Sequence, residues 1–152
     1  MMLDLQRQIL DLDRRLERLE KPDTGGVIAT FTPTYEGSST AGTTTYTTQV
    51  GRYIRIGNLV VVTLHMVWTN ATGTGNVRIG GLPYAASATS NLFYSFQPQT
   101  NNLTFANGSI EGLLQSNATQ AQLSSPASNA ALTELSVEAA GTIRATIIYF
   151  TD

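Results

Sequence analysis

Cysteine is absent from this 152-residue chain. That excludes a disulfide framework, a thiolate nucleophile and any Cys-ligated metal site. Histidine occurs once, as His65, and a lone imidazole is a poor ligand set. Long apolar runs are missing as well. The longest, around Leu59–Val62, is far too short to span a bilayer, so no membrane insertion is expected. Basic charge is scarce too. The formal net charge of −2 offers no field to neutralise phosphates, which argues against nucleic acid as a partner. Residues 1–23 carry charges throughout and lack the apolar core of a secretory signal, so any export needs another route.

The charges are unevenly placed. Residues 1–23 hold five Lys/Arg and six Asp/Glu, and the rest of the chain holds only four Lys/Arg and five Asp/Glu. Thr, Ser, Asn and Gln must therefore supply the solvated surface of that second part. The shift in composition divides the chain into an expected helix over 1–21, a hinge over 22–26 and a β-rich head over 27–152.

Met2, Leu5, Ile9, Leu12, Leu16 and Leu19 recur at alternating spacings of three and four. This is the a/d seam of a coiled coil, with Met2, Ile9 and Leu16 at a and Leu5, Leu12 and Leu19 at d. Arg15 falls at g and Glu20 at the following e, where they can pair between chains. The segment Arg15-Leu16-Glu17-Arg18-Leu19-Glu20 resembles a known trimerisation motif: Arg, apolar, two unspecified residues, apolar, Glu. The resemblance implies three strands, with the Arg stem over the d layer and its head on the Glu of a neighbour. The alternative is an amphipathic helix docked on its own domain, but a stripe of two residues per heptad is narrower than that arrangement usually needs. With fewer than three heptads the coil would be marginal alone and must borrow stability from the heads. Pro22 and Asp23-Thr24-Gly25-Gly26 are expected to end it.

From Val27 onward the helical period gives way to short β-branched and aromatic runs punctuated by Gly, Asn, Ser and Thr. Strands are expected at Val27–Thr32, Thr44–Thr48, Arg52–Ile56, Leu59–Trp68, Asn76–Ile79, Asn91–Phe96, Leu103–Phe105, Ser109–Leu114, Gln120–Leu123, Thr133–Ala139 and Thr142–Phe150. Gly57-Asn58 reads as a two-residue hairpin turn. The fold class is mainly β: an antiparallel sandwich or jelly-roll head behind a short coiled coil, assembled as a homotrimer. Leu59–Trp68 carries the oligomer argument. Val60, Val62, Leu64, Met66 and Trp68 make one apolar face, yet Leu59, Val61 and Val67 make the other largely apolar too. Such a strand is covered on both sides, and in a small sandwich the outer cover comes from another subunit. The final strand repeats the pattern with Ile148 and Phe150.

Catalytic signals are weak. The head's acids, Glu36, Glu111, Glu134, Glu138 and Asp152, form no paired-carboxylate motif, and no cofactor is expected. Carboxylates converging between subunits would be needed for a glycan hydrolase. His65 reads as a packed or interface histidine, although three copies meeting on a threefold axis could hold an ion. Asn70, Asn102, Asn107 and Asn117 open formal glycosylation sequons, which in so Asn- and Thr-rich a chain read as polar turns. Tyr35, Tyr84, Phe93, Tyr94 and Phe96 could stack on sugars, but core or interface roles are commoner for such residues.

Two segments carry a further resemblance. Residues 40–60 contain Gly51-Arg52-Tyr53-Ile54-Arg55-Ile56-Gly57-Asn58-Leu59-Val60. Residues 73–84 contain Gly75-Asn76-Val77-Arg78-Ile79-Gly80-Gly81-Leu82-Pro83-Tyr84. Together with the ending Gly141–Phe150, they resemble bacteriophage virion proteins of the tail-fibre, spike and head-fibre type. The resemblance implies a closely packed trimer without a cofactor, located in the virion and released by lysis of the host cell. Its implied partners are other virion proteins and a host surface glycan or protein. It implies a receptor-binding tail-fibre module first and a capsid decoration or head-fibre protein second. No binding residues transfer, because the shared motif marks the scaffold.

Overall fold

The computed structural model describes residues 2–20, 26–105, 108–126 and 131–152, with helix side chains described from Asp4 to Arg15. Helix α1 runs Met2–Glu20. Every side chain described on it, from Asp4 to Arg15, is exposed. The expected hinge lies mostly outside the described residues, with only Gly26 inside them.

The remainder is built from antiparallel strands. In chain order they are β1 Val27–Phe31, β2 Thr34–Gly37, β3 Thr44–Ile56, β4 Leu59–Ala71, β5 Val77–Gly80, β6 Tyr94–Phe96, β7 Gln99–Asn101, β8 Glu111–Leu114, β9 Ala121–Ser125, β10 Thr133–Glu134 and β11 Gly141–Phe150. Five strands form one sheet in the order β1-β3-β4-β11-β7. The other sheet runs β2-β5-β9-β8-β6, with β10 also paired to β9. One core lies between them, as in a β-sandwich. Val60, Val62, Leu64, Met66 and Trp68 of β4 and Ile143, Ile147 and Tyr149 of β11 enter it from the first sheet. Tyr35, Val77, Ile79, Leu114, Ala121 and Leu123 enter from the second.

Alternation explains why β4 and β11 sit at the centre. Each buries every second side chain, which is the strand period. The β3–β4 hairpin turns at Gly57-Asn58, between the paired Ile56 and Leu59. Gly57 has φ +57°, a left-handed conformation that glycine adopts without a Cβ penalty. Tyr35 and Trp68 tie the two sheets. Their rings stack with centroids 4.0 Å apart, the Trp68 indole donates to the Glu138 carbonyl, and the Glu138 amide donates to the Tyr35 hydroxyl.

Several expected boundaries change. Thr44–Thr48 and Arg52–Ile56 form one strand, because Gln49, Val50 and Gly51 continue the pairing with β4 while Phe31 lies against Gly51. Leu103–Phe105 is not a strand. Leu103 is buried as a loop residue, and the preceding Gln99–Asn101 pairs with β11 instead. Asn91–Phe96 begins as a turn with Asn91 at φ 59°, and only Tyr94–Phe96 pairs. Thr133–Ala139 keeps two strand residues, after which Leu135 is hydrogen-bonded to Leu123 and Val77, and Glu138 to Tyr35 and Trp68. Strand β2 was not expected: it is four residues long and bounded by Pro33 and Gly37.

Candidate interaction surfaces

Four of the expected seam residues have described side chains. Leu5, Ile9, Leu12 and Arg15 are all exposed on α1. Leu10, outside the seam, is exposed as well. Met2, Leu16, Leu19 and Glu20 lie on the helical backbone, but their side chains fall outside those described, and so does the Arg15–Glu20 pairing.

The second surface is the outer face of the first sheet. Directly paired residues project to the same side, so the register sorts this face into rows. One row is Ile56, Leu59 and Phe150; the next is Ile28, Ile54, Val61 and Ile148. Within them Ile28 is 65% exposed, Ile148 57%, Phe150 51% and Ile56 50%. Seven large apolar side chains therefore share one end of the sheet: these four are exposed, Ile54, Leu59 and Val61 are half-buried, and Gly26 lies against Ile54 and Ile56. A contiguous apolar area of this kind marks an interaction surface.

Polarity changes along the strands. The third row is Thr30, Arg52, Thr63 and Thr146, and the fourth is Val50, His65, Arg144 and Gln99. Over these rows lies an open cleft of about 480 Å³, lined by Arg52, Thr63, His65, Gln97, Gln99 and Arg144 among others. Thr63 and Thr146 hydroxyls lie 3.5 Å apart across its floor. The Arg144 guanidinium reaches the Gln99 side-chain oxygen at 3.4 Å. The His65 Nε2 is closed off from solvent and has no hydrogen-bond partner among the described residues.

Several other charged groups of the head are engaged elsewhere. Arg78 pairs with Glu134 at 2.9 Å. Arg55 lies 4.6 Å over the Tyr84 ring and donates to the Gly57 carbonyl. Tyr84 is held below the ordinary tyrosine range by its hydrogen bond with Tyr53 and then by Arg55. Glu36 accepts from Gln120. Asp152 accepts from the Ala88 amide and the Ser87 hydroxyl, and these bonds hold its carboxyl below the usual range. Among the described residues no three His, Asp or Glu side chains gather as a metal site would require.

The five aromatics considered for sugar stacking divide. Tyr35 and Phe96 are buried in the core, and burial pushes the Tyr35 hydroxyl up to about 12. Tyr84 and Tyr94 are half-buried, while Phe93 is exposed. Asn102 and Asn117 have left-handed φ of 57° and Asn70 is an exposed residue of β4; Asn107 lies outside the described residues. The cleft was not legible as a site in the sequence. Its arginines and His65 come from three separate strands, and only the register β3-β4-β11 joins them.

Among the described residues no helix is long and apolar enough to cross a membrane. No protein-family model, curated protein or solved structure matches the chain.

Proposed function

We propose that this chain is a homotrimeric bacteriophage virion module of the tail-fibre or receptor-binding type, which recognises a host surface without cleaving it. The observation that carries the reading is a pair of uncovered apolar surfaces. A lone protomer would leave in water both the Leu5-Ile9-Leu12 seam and the exposed Ile28, Ile56, Ile148 and Phe150 of the sheet face. Association of copies covers both at once: the helices as a three-stranded coil, the heads through the apolar end of the sheet. Residues 40–60, whose wording resembles virion fibres, supply much of β3 and the start of β4.

The placement of three of the head's five acids favours recognition over catalysis. Glu134, Glu36 and Asp152 are each committed to a different local partner. A glycan hydrolase needs two carboxylates facing one bond. A threefold head on a multivalent particle can gain avidity from individually weak contacts.

Two measurements test the assignment together. Immunogold labelling of intact virions should place the protein at the tail, and purified protein should bind host cells saturably without releasing oligosaccharides from their envelope. Labelling over the head, with no host binding, would replace this reading by capsid decoration. Release of oligosaccharides would overturn the non-enzymatic role.

A further inference from the structure

The head contains only four basic side chains, Arg52, Arg55, Arg78 and Arg144. Arg78 has a carboxylate and Arg55 has an aromatic ring. The remaining two, Arg52 and Arg144, line the same cleft. Among the described residues neither has an ion pair, and no acidic residue lines that cleft. The two arginines stand on β3 and β11, either side of β4 and one row apart along it, so their backbones are roughly 12 Å apart by ordinary strand geometry. Two guanidinium groups held this way over one concavity repel each other until an anion lies between them. The fork of an arginine suits an oxyanion, which it can hold through two parallel N–H donors.

The rest of the lining suits a hydroxylated ring. Gln97 and Gln99 carry amides, Thr63 and Thr146 carry hydroxyls, and Val50 supplies an exposed apolar patch. Beneath them the His65 Nε2 has an unmet hydrogen bond. A volume of about 480 Å³ lies within the range of small-ligand sites. The nearer row of the cleft, Arg52, Thr63 and Thr146, is two residues, about 7 Å, from the Ile54-Val61-Ile148 row, so the cleft adjoins the apolar end of the face.

We propose that this cleft binds an acidic saccharide unit, its oxyanion held between Arg52 and Arg144 and its hydroxyls by Gln99, Thr63 and Thr146. The proposal names the ligand class for the recognition role above and rests on that reading for its setting. Neutral sugars lack the oxyanion and leave the arginines uncompensated.

Titration of the full-length protein with glucuronate, glucose and acetate, followed by calorimetry and by thermal unfolding, tests it. Glucuronate should bind saturably, glucose should not, and acetate should need a much higher concentration. Arg52→Gln and Arg144→Gln should each weaken glucuronate binding about tenfold or more, since each removes a charge-assisted contact. Both side chains are exposed, and unfolding of the variants in buffer checks that the fold is kept. No saturable glucuronate binding, equal binding of glucose, acetate matching glucuronate, or binding unchanged in both variants would each overturn the proposal. Host-cell binding that persists unaltered in Arg52→Gln/Arg144→Gln would leave the recognition reading standing and remove this cleft from it.

Discussion

Ile148 of β11 stands directly across from Val61 of β4 on the outer face of the first sheet, and it is 57% exposed. Both strands bury their other face completely in the sandwich core. A side chain as large as Ile148, left in water near the centre of a sheet, is what the proposed association of heads would cover.

A charge at that position should separate assembly from folding. Ile148→Glu removes no core contact, so the variant should keep its β-sheet circular dichroism. Covering a carboxylate without a partner is costly, however, and the heads should fail to associate. Light scattering of the variant should report smaller particles than the native protein. An unchanged particle size would move the interface elsewhere.

Removal of residues 1–21 probes the division of labour between coil and head. The helix has fewer than three heptads and would be marginal in isolation. The truncated protein should remain an oligomer through the sheet face, with a lower melting temperature than the full chain. Folded monomers from this truncation would mean that the sheet face contributes little to assembly.

Within the head, Tyr35 and Trp68 should matter most for stability. Trp68→Ala removes a fully buried ring stacked at 4.0 Å and should cost about 3–5 kcal/mol in denaturant unfolding. Tyr35→Phe keeps the ring but leaves the Glu138 amide without its acceptor, and about 1–3 kcal/mol should be lost. Equal effects of the two changes would contradict the packing role assigned to the stack.

Alkali should weaken the fold in a defined window. Burial pushes the hydroxyls of Tyr35 and Tyr149 from 10.0 up to about 12. A raised folded value means that the contribution is fully present below pH 10, where both states are protonated. It is lost as the unfolded chain ionises first and pH rises toward about 12. Each tyrosine should therefore remove roughly 2–3 kcal/mol across that interval. Denaturant midpoints measured through the window should fall, and Tyr149→Phe should flatten part of the fall.

How far the sequence specified this structure depends on the range of the interactions. The 3-4 spacing of Leu5, Ile9 and Leu12 placed a helix correctly because that signal is local. The alternation from Val60 to Trp68 and from Ile143 to Tyr149 placed the two central strands and their buried faces, because each buries a whole face. Gly57-Asn58 placed the β3–β4 hairpin by turn chemistry. Short strands were harder. Thr34–Gly37 has one buried side chain, Tyr35, and its pairing partner Val77–Gly80 lies some forty residues onward. Leu103 showed an apolar run but is buried from a loop, since packing rather than pairing holds it. The cleft was hidden for the same reason: Arg52, His65 and Arg144 are far apart in the chain and meet only through register.

The central claim is that three copies associate, and sedimentation equilibrium of the full-length protein at micromolar concentration tests it most directly. The account predicts one species at three times the 16.3 kDa chain mass. A single species at the mass of one chain would contradict it.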